Sequence, residues 1–369
     1  MTINHQINIT SLIAQVGSAQ VLDMPIGVVG ITNIASADVG KVIRIRTPAD
    51  LAKLGGAVAE NTILPYITTL QRYGFGNLFV VMSTYTTTPA IDTDLIAGLI
   101  KLKETYSLYQ DFPRWIVVPG STNSDLLVTQ AIDTANATDS LIALDFPLGT
   151  TTAQATTIRQ TSVGLGQKNV RLHPCMPHVK IGALTEPLSI HLIRASASIA
   201  KVRGFGHTTS NVVLPDVTGN NGTFVWSYTN PTADNQLLER QGITSLNMSA
   251  EGLVMWGNRN ALYSPLNISW NTYTTLNRVK QELDFLFLQA SIKFLGMPST
   301  ASTGFLMETA LNNILSTLLM EGNYDGSSRA TFNQLGSNLA GRQIAFNVLI
   351  KCNLPLEVIN INSVYTANI

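Results

Sequence analysis

Between Pro25 and Lys201, short apolar runs alternate with helical stretches, and few folds accept that rhythm. The runs Ile26–Ile31, Leu78–Met82, Trp115–Pro119, Ser140–Asp145 and Asn169–His173 read as buried strands. Helices are expected between and after them: Thr47–Gly56, Asn61–Tyr73, Asp92–Leu108, Ser124–Thr134, Ala153–Gly164 and Ser189–Lys201. The first of these carries its own punctuation, with Thr47 as N-cap, Pro48 at the first helical position and glycine as terminator. Repeated strand–helix–strand units predict an α/β fold, a parallel sheet with helices on both faces.

The pattern changes twice more. Residues 204–250 are rich in Gly, Asn, Thr and Pro and read as long loops. After Trp256 come two amphipathic helices, one carrying Leu276, Val279, Leu283, Leu286, Ala290 and Phe294. Beside that stripe stand Arg278, Lys280, Glu282, Asp284 and Lys293, which is either a solvated face or a contact for a partner. The second helix follows Thr303-Gly304 and carries Leu306, Ala310, Ile314, Leu318 and Met320. Strand-like runs close the chain, Ile344–Cys352 and Leu356–Ile361, with Pro355 between them. At the other end Ile3, His5, Ile7 and Ile9 alternate with polar residues, the period of a half-buried strand. That segment is either an edge strand of its own domain or tied down elsewhere.

Charge bears on partners. Charged residues make up 12% of the chain, about half of the roughly 25% usual for soluble domains. Lys+Arg and Asp+Glu number 23 each, so the net charge is zero. A sparse, balanced surface suits a protein that faces other protein. It offers no basic excess to hold nucleic acid. No run approaches 18 apolar residues, so no membrane insertion is expected. The first Lys or Arg is Lys41, which argues against a secretory signal.

The chemical motifs fail one after another. Gly74-Phe75-Gly76, Gly164-Leu165-Gly166 and Gly204-Phe205-Gly206 lack the third glycine of a dinucleotide loop and read as turns. Gly40-Lys41 is followed by Val42, not Ser or Thr, so no phosphate loop is present. His173-Pro-Cys175-Met-Pro-His178 has no second ligand pair for zinc. Ser198-Ile-Ala-Lys201 lacks the Lys-Thr-Gly companion of acyl-transfer enzymes. Cys175 and Cys352 form no disulfide framework. No catalytic residue, cofactor or metal is assigned.

Thr47–Gly56, Leu64-Pro65-Tyr66 and Tyr73–Val81 come in that order, and Glu251–Asn260 follows with Trp256-Gly257-x-Arg259 at its core. This order of segments resembles the contractile tail sheath family, and its most specific piece, Trp256-Gly257-x-Arg259, is similar to the family's signature. Arg278-Val279-Lys280 and Asn353–Ile359 resemble later family segments, while Asn260, Lys280 and Leu356 depart from the usual residues. The resemblance implies a subtilisin-like α/β domain without subtilisin chemistry, and neither Gly-Thr-Ser-Met-Ala nor His-Gly-Thr occurs here. It implies an N-terminal arm over 1–22, an outer domain over 23–255, an inner α+β domain over 256–352 and a C-terminal arm over 353–369. It further implies that the arms, through Ile3, Ile7 and Ile9 and through Val358, Ile359 and Ile361, add strands to neighbouring subunits. The implied partners are copies of the chain in a six-fold helical array, an inner tail tube protein, and baseplate and tail terminator proteins. Arg278, Lys280 and Lys293 are candidates for tube contact. The implied location is a phage tail assembled in the host cytoplasm, or the bacterial cytoplasm for an injection-system sheath. The competing reading from another class is an α/β hydrolase.

Overall fold

A computed structural model describes residues 24–32, 38–54, 63–72, 74–84, 91–119, 124–266, 269–320, 326–341 and 343–351. The arm residues Ile3, Ile7, Ile9, Val358, Ile359 and Ile361, the strand expected over 356–361, and Cys352 lie outside them.

Strands β1 (Ile26–Thr32), β2 (Val42–Ile45), β3 (Leu78–Thr84), β4 (Trp115–Val117), β5 (Leu141–Asp145) and β6 (Leu172–Cys175) form one sheet in the order β2-β3-β1-β4-β5-β6. The pairs from β3 through β6 are parallel, as the alternation predicts, and β2 adds an antiparallel edge against β3. All seven residues of β1 are buried, as expected for a strand covered on both faces. Helices α1 (Ile63–Arg72) and α6 (Leu188–Arg203) cover one face, where Val28, Val80, Ile67 and Ile193 share a core. On the other lie α2 (Ile91–Leu102), α4 (Asp125–Thr138) and α5 (Thr152–Thr161), with Val29, Val81, Leu99 and Leu127. Gly98 sits mid-α2, where glycine is a poor helix former. A β-carbon there would meet Val29 Cγ1 at 2.6 Å, so the close seating of helix on sheet requires its absence.

Several expectations need correction, each for a local reason. The segment after Thr47 is a 3-10 helix, Pro48–Leu54. Asp50 Oδ2 accepts from the amides of Arg46 and Thr47 at 3.0 and 2.9 Å, and the Thr47 hydroxyl donates to it instead of capping. The helix expected over 92–108 breaks after Leu102 and restarts as α3 (Thr105–Tyr109). Thr105 Oγ1 donates to the Leu102 carbonyl at 2.8 Å, and that side-chain bond replaces a helical one. The strand expected over 169–173 begins at Leu172, because Asn169 Oδ1 accepts from the Arg171 amide at 2.8 Å and holds a turn.

The stretch 204–250 is not all loop. It holds β9 (Gly219–Asn220), which completes a three-stranded sheet with β7 (Val179–Ile181) and β8 (Leu184–Glu186). It also holds α7 (Asp234–Glu239) and β10 (Ser245–Ser249), which pairs antiparallel with β11 (Gly252–Trp256). Helix α8 (Thr274–Ile292) and helix α9 (Ala301–Met320) then pack together. Thr303-Gly304 does not precede α9 but lies within its first turn. Thr300 Oγ1 accepts from the Thr303 amide at 3.2 Å and is the cap. Last come β12 (Arg329–Phe332) and β13 (Phe346–Leu349), an antiparallel pair shorter than the Ile344–Cys352 strand expected.

Candidate interaction site: signature corner, buried helix and open edge

The signature residues form a joint. Gly257 follows β11 with φ +106°, a conformation in which an L side chain is strained. The turn throws Asn258 against the start of α8. Its Oδ1 accepts from the Thr275 amide at 3.3 Å, and its Nδ2 donates to Thr275 Oγ1 at 3.2 Å. Arg259 is buried, with its guanidinium 4.4 Å from the ring centre of Tyr263 and 4.2 Å from that of Tyr273. Trp256 meets Tyr228 edge-on at 5.3 Å. Trp256, Gly257 and Arg259 therefore lie at one corner, where they fix the β10–β11 hairpin to the helix that follows.

Helix α8 is buried around most of its first three turns, including charges that the sequence places on an open or partner-facing side. Arg278 is 2% exposed and donates to the carbonyls of Ser196 at 2.8 Å and His207 at 3.4 Å. Burial lowers its guanidinium to about 9, opposed by the nearby Glu282 carboxylate. Glu282 Oε2 accepts from Arg114 Nε at 3.2 Å, and the Arg114 guanidinium lies 3.7 Å from the Phe285 ring centre. Gln281 Nε2 donates to the carbonyls of Arg114, at 2.9 Å, and of Asp139. The helix is thus bolted to the leading ends of β4 and β5. Arg278 is spent inside the chain and is unavailable to a tube. Lys280 stays exposed and pairs with Asp284, while Lys293 is exposed at the helix end.

Polar groups buried at the sheet are structural in the same sense. Glu186 takes a 3.1 Å contact with His191 Nε2 and a 3.0 Å bond from Thr69. Burial alone would raise its carboxyl, but the His191 and Thr69 bonds win and hold it below its usual value. Among the described residues no group of three or more His, Cys, Asp or Glu is placed to hold a metal. The His173 ring is tilted by 60° against that of Trp115, with centres 5.0 Å apart, and contacts Thr274 Oγ1 at 3.2 Å. Burial, with Arg278 nearby, lowers it to about 3. The unfolded chain therefore takes up this proton near its ordinary pKa of about 6.5, before the folded chain does. This contribution to stability is intact above that value and is lost as pH falls from there toward 3. His173→Gln is expected to flatten the acid side of a plot of melting temperature against pH. Equal slopes for both proteins between pH 6.5 and 4 would refute the assignment.

The β12–β13 pair has two unlike edges. On the β12 side, Asn312 of α9 accepts from the Ala330 amide at 2.9 Å and donates to its carbonyl at 2.8 Å. Glu308 Oε2 accepts from the Phe332 amide at 2.7 Å. That edge is sealed by side chains. No described strand pairs with the outer edge of β13, where Val348 and Leu349 are 41% and 45% exposed.

No family model matches the chain. The tail sheath protein of Burkholderia phage BcepMu is 30% identical over 175 residues, which cover 45% of this chain and 37% of that protein. The match thus spans well under half of the relative's length. Architecture extends the likeness. A chain of the anti-feeding prophage baseplate superimposes with a TM-score of 0.72 at 17% identity, covering 95% of each chain. The contracted helical sheath of the anti-feeding prophage gives 0.71 at 18% identity, covering 94% of each. The family resemblance read in the sequence is borne out, and the chain carries the fold of contractile tail sheath subunits.

Proposed function

We propose that the chain is the subunit of a contractile sheath, polymerising helically around an inner tube and shortening to drive that tube through a target envelope. The observation that carries the reading beyond fold is the β12–β13 pair, with one edge sealed and the other open and apolar. An open edge of this kind is a template for strand addition. The arms 1–22 and 353–369 are the donors, with Ile3, Ile7 and Ile9 and with Val358, Ile359 and Ile361 as alternating contacts. Residues 23–255 form the outer part and 256–352 the inner part, joined by the corner at Trp256, Gly257 and Arg259. The outer α/β part is taken as subtilisin-like without the chemistry, and its buried polar groups serve packing, which favours a structural role over catalysis. Baseplate and terminator proteins complete the expected partners, in a phage tail assembled in the host cytoplasm or in a bacterial injection system.

Lys280 and Lys293 are the remaining candidates for tube contact, and an exposed charged contact of this sort is weak and salt-sensitive. Electron microscopy of negatively stained purified subunit tests both levels. Rings or tubes are expected from the subunit alone. With tube protein, a Lys280→Glu/Lys293→Glu double variant is expected to give polymers beside bare tubes. A strictly monomeric subunit at high concentration would count against the sheath reading, and normally sheathed tubes from the double variant against the tube face.

A further inference from the structure

One turn apart on α8, Asn277 and Gln281 are 7% and 6% exposed, yet each uses only half of its amide. Asn277 Nδ2 donates to the carbonyls of Asn271 and Tyr273, both at 2.8 Å. Gln281 Nε2 donates to the carbonyls of Arg114 and Asp139. Each nitrogen is committed to two carbonyls, which fixes the orientation of the amide. Asn277 Oδ1 and Gln281 Oε1 are then acceptors with no partner among the described residues.

Both residues line a hollow of about 170 Å³, together with Asp139, Arg171, Trp270 and Lys280. The cations on its wall are already spent. Arg171 donates to Asn136 Oδ1, the Ser140 carbonyl and Asp139 Oδ1 at 3.0, 3.1 and 2.6 Å. Lys280 pairs with Asp284. The Asp139 side chain is 41% exposed, and its Oδ2 takes no bond among the described residues. Trp270, on the 3-10 turn that leads into α8, is 56% exposed.

Three open acceptors, one of them anionic, beside an exposed indole suit a cation that is rich in donors and flat. A guanidinium has five N–H groups in one plane and no acceptor, and it is attracted to the face of tryptophan. An ammonium could meet the oxygens, but it is a compact point charge without a plane to stack. The hollow is also smaller than the roughly 300–1,000 Å³ of small-molecule sites, so its size fits one side chain of a larger partner.

We propose that this hollow receives an arginine side chain of a neighbouring protein, stacked on Trp270 and bonded to Asn277 Oδ1, Gln281 Oε1 and Asp139 Oδ2. The proposal does not rest on the sheath reading, and its test uses full-length, unassembled subunit. Amide and indole resonances are followed while N-acetyl-arginine amide is added to millimolar concentration. A saturable shift is expected at the Trp270 indole and along the first two turns of α8. The citrulline counterpart, which keeps the shape without the charge, and the lysine counterpart should bind several-fold more weakly. Lys280→Gln takes a cation from the rim and spares the hydrogen bonds that hold α8, so it should tighten arginine binding several-fold. Trp270→Ala should abolish the α8 shifts while leaving the melting temperature nearly unchanged. Citrulline or lysine binding as well as arginine would overturn the proposal. So would tighter binding of N-acetyl-glutamate amide or weaker arginine binding in Lys280→Gln, either of which assigns the hollow to an anion. No shift with any probe would overturn it equally.

Discussion

Glu282→Ala is expected to destabilise the subunit by roughly 3–5 kcal/mol, the usual result of leaving buried charge without its partner. Arg114 is 5% exposed and Arg278 is 2% exposed; Glu282 is the carboxylate that acts on Arg278 and pairs with Arg114, whose other carboxylate is Asp111 at 3.6 Å. Removing Glu282 leaves Arg278 buried without that charge partner and Arg114 with Asp111 alone, at the junction of α8 with the sheet. A cavity adds to the loss, because the side chain is itself only 3% exposed. The Phe285 ring under Arg114 softens the effect, since a desolvated cation over an aromatic face keeps about 2 kcal/mol. Urea unfolding measures the outcome. A shift below about 1 kcal/mol would mean that water reaches the cluster and that it is not a buried one. Replacing Arg114 and Glu282 together by methionine and leucine should recover much of the loss, because an apolar pair of similar volume needs no desolvation.

Deletion of residues 1–10 is expected to abolish polymers while leaving the melting temperature nearly unchanged. The sealed and open edges of β12–β13 carry the argument. A strand laid on β13 in a neighbouring subunit takes its hydrogen bonds there, each worth about 0.5–1.5 kcal/mol, so the donor loses little of its own core. Ile7→Pro should act in the same direction, since proline removes a ladder donor and fixes φ. Light scattering, microscopy and thermal melting on the same preparations decide the matter. Intact tubes from the truncated chain would remove an essential N-terminal arm, and a large fall in melting temperature would mark an ordinary edge strand.

The parallel sheet was legible because its strands are continuous apolar runs and its helices start at signals such as Ser124, which caps Asp125–Thr138. The antiparallel edge β2 was not, because four residues rich in isoleucine look alike in either direction. The elements at 219–220, 234–239 and 245–249 were hidden by their composition. Asn235, Thr244, Ser245 and Asn247 are buried there, and buried polar residues read as loop until their partners are known. The signature Trp256-Gly257-x-Arg259 was visible as a pattern, but its use was not. That Arg259 lies between Tyr263 and Tyr273 depends on a chain reversal that no local spacing encodes. The charges of α8 were misplaced for a related reason. Period and charge show which residues share a face, and only the sheet end at Arg114 shows that this face is covered.

The sealed edge of β12 has a consequence for counting. With Asn312 and Glu308 occupying one side, the β12–β13 pair presents one slot among the described residues, and that slot is four residues long at β13. Two arms per chain cannot both use it directly. If both ends are donated to this pair, the second lies on the outer edge of the first, so the order of arrival is set by geometry. Growth is then sequential and cannot branch, because a subunit that has received one arm is the platform for the next. A lattice built this way carries its polarity in each joint and needs no separate factor to impose it.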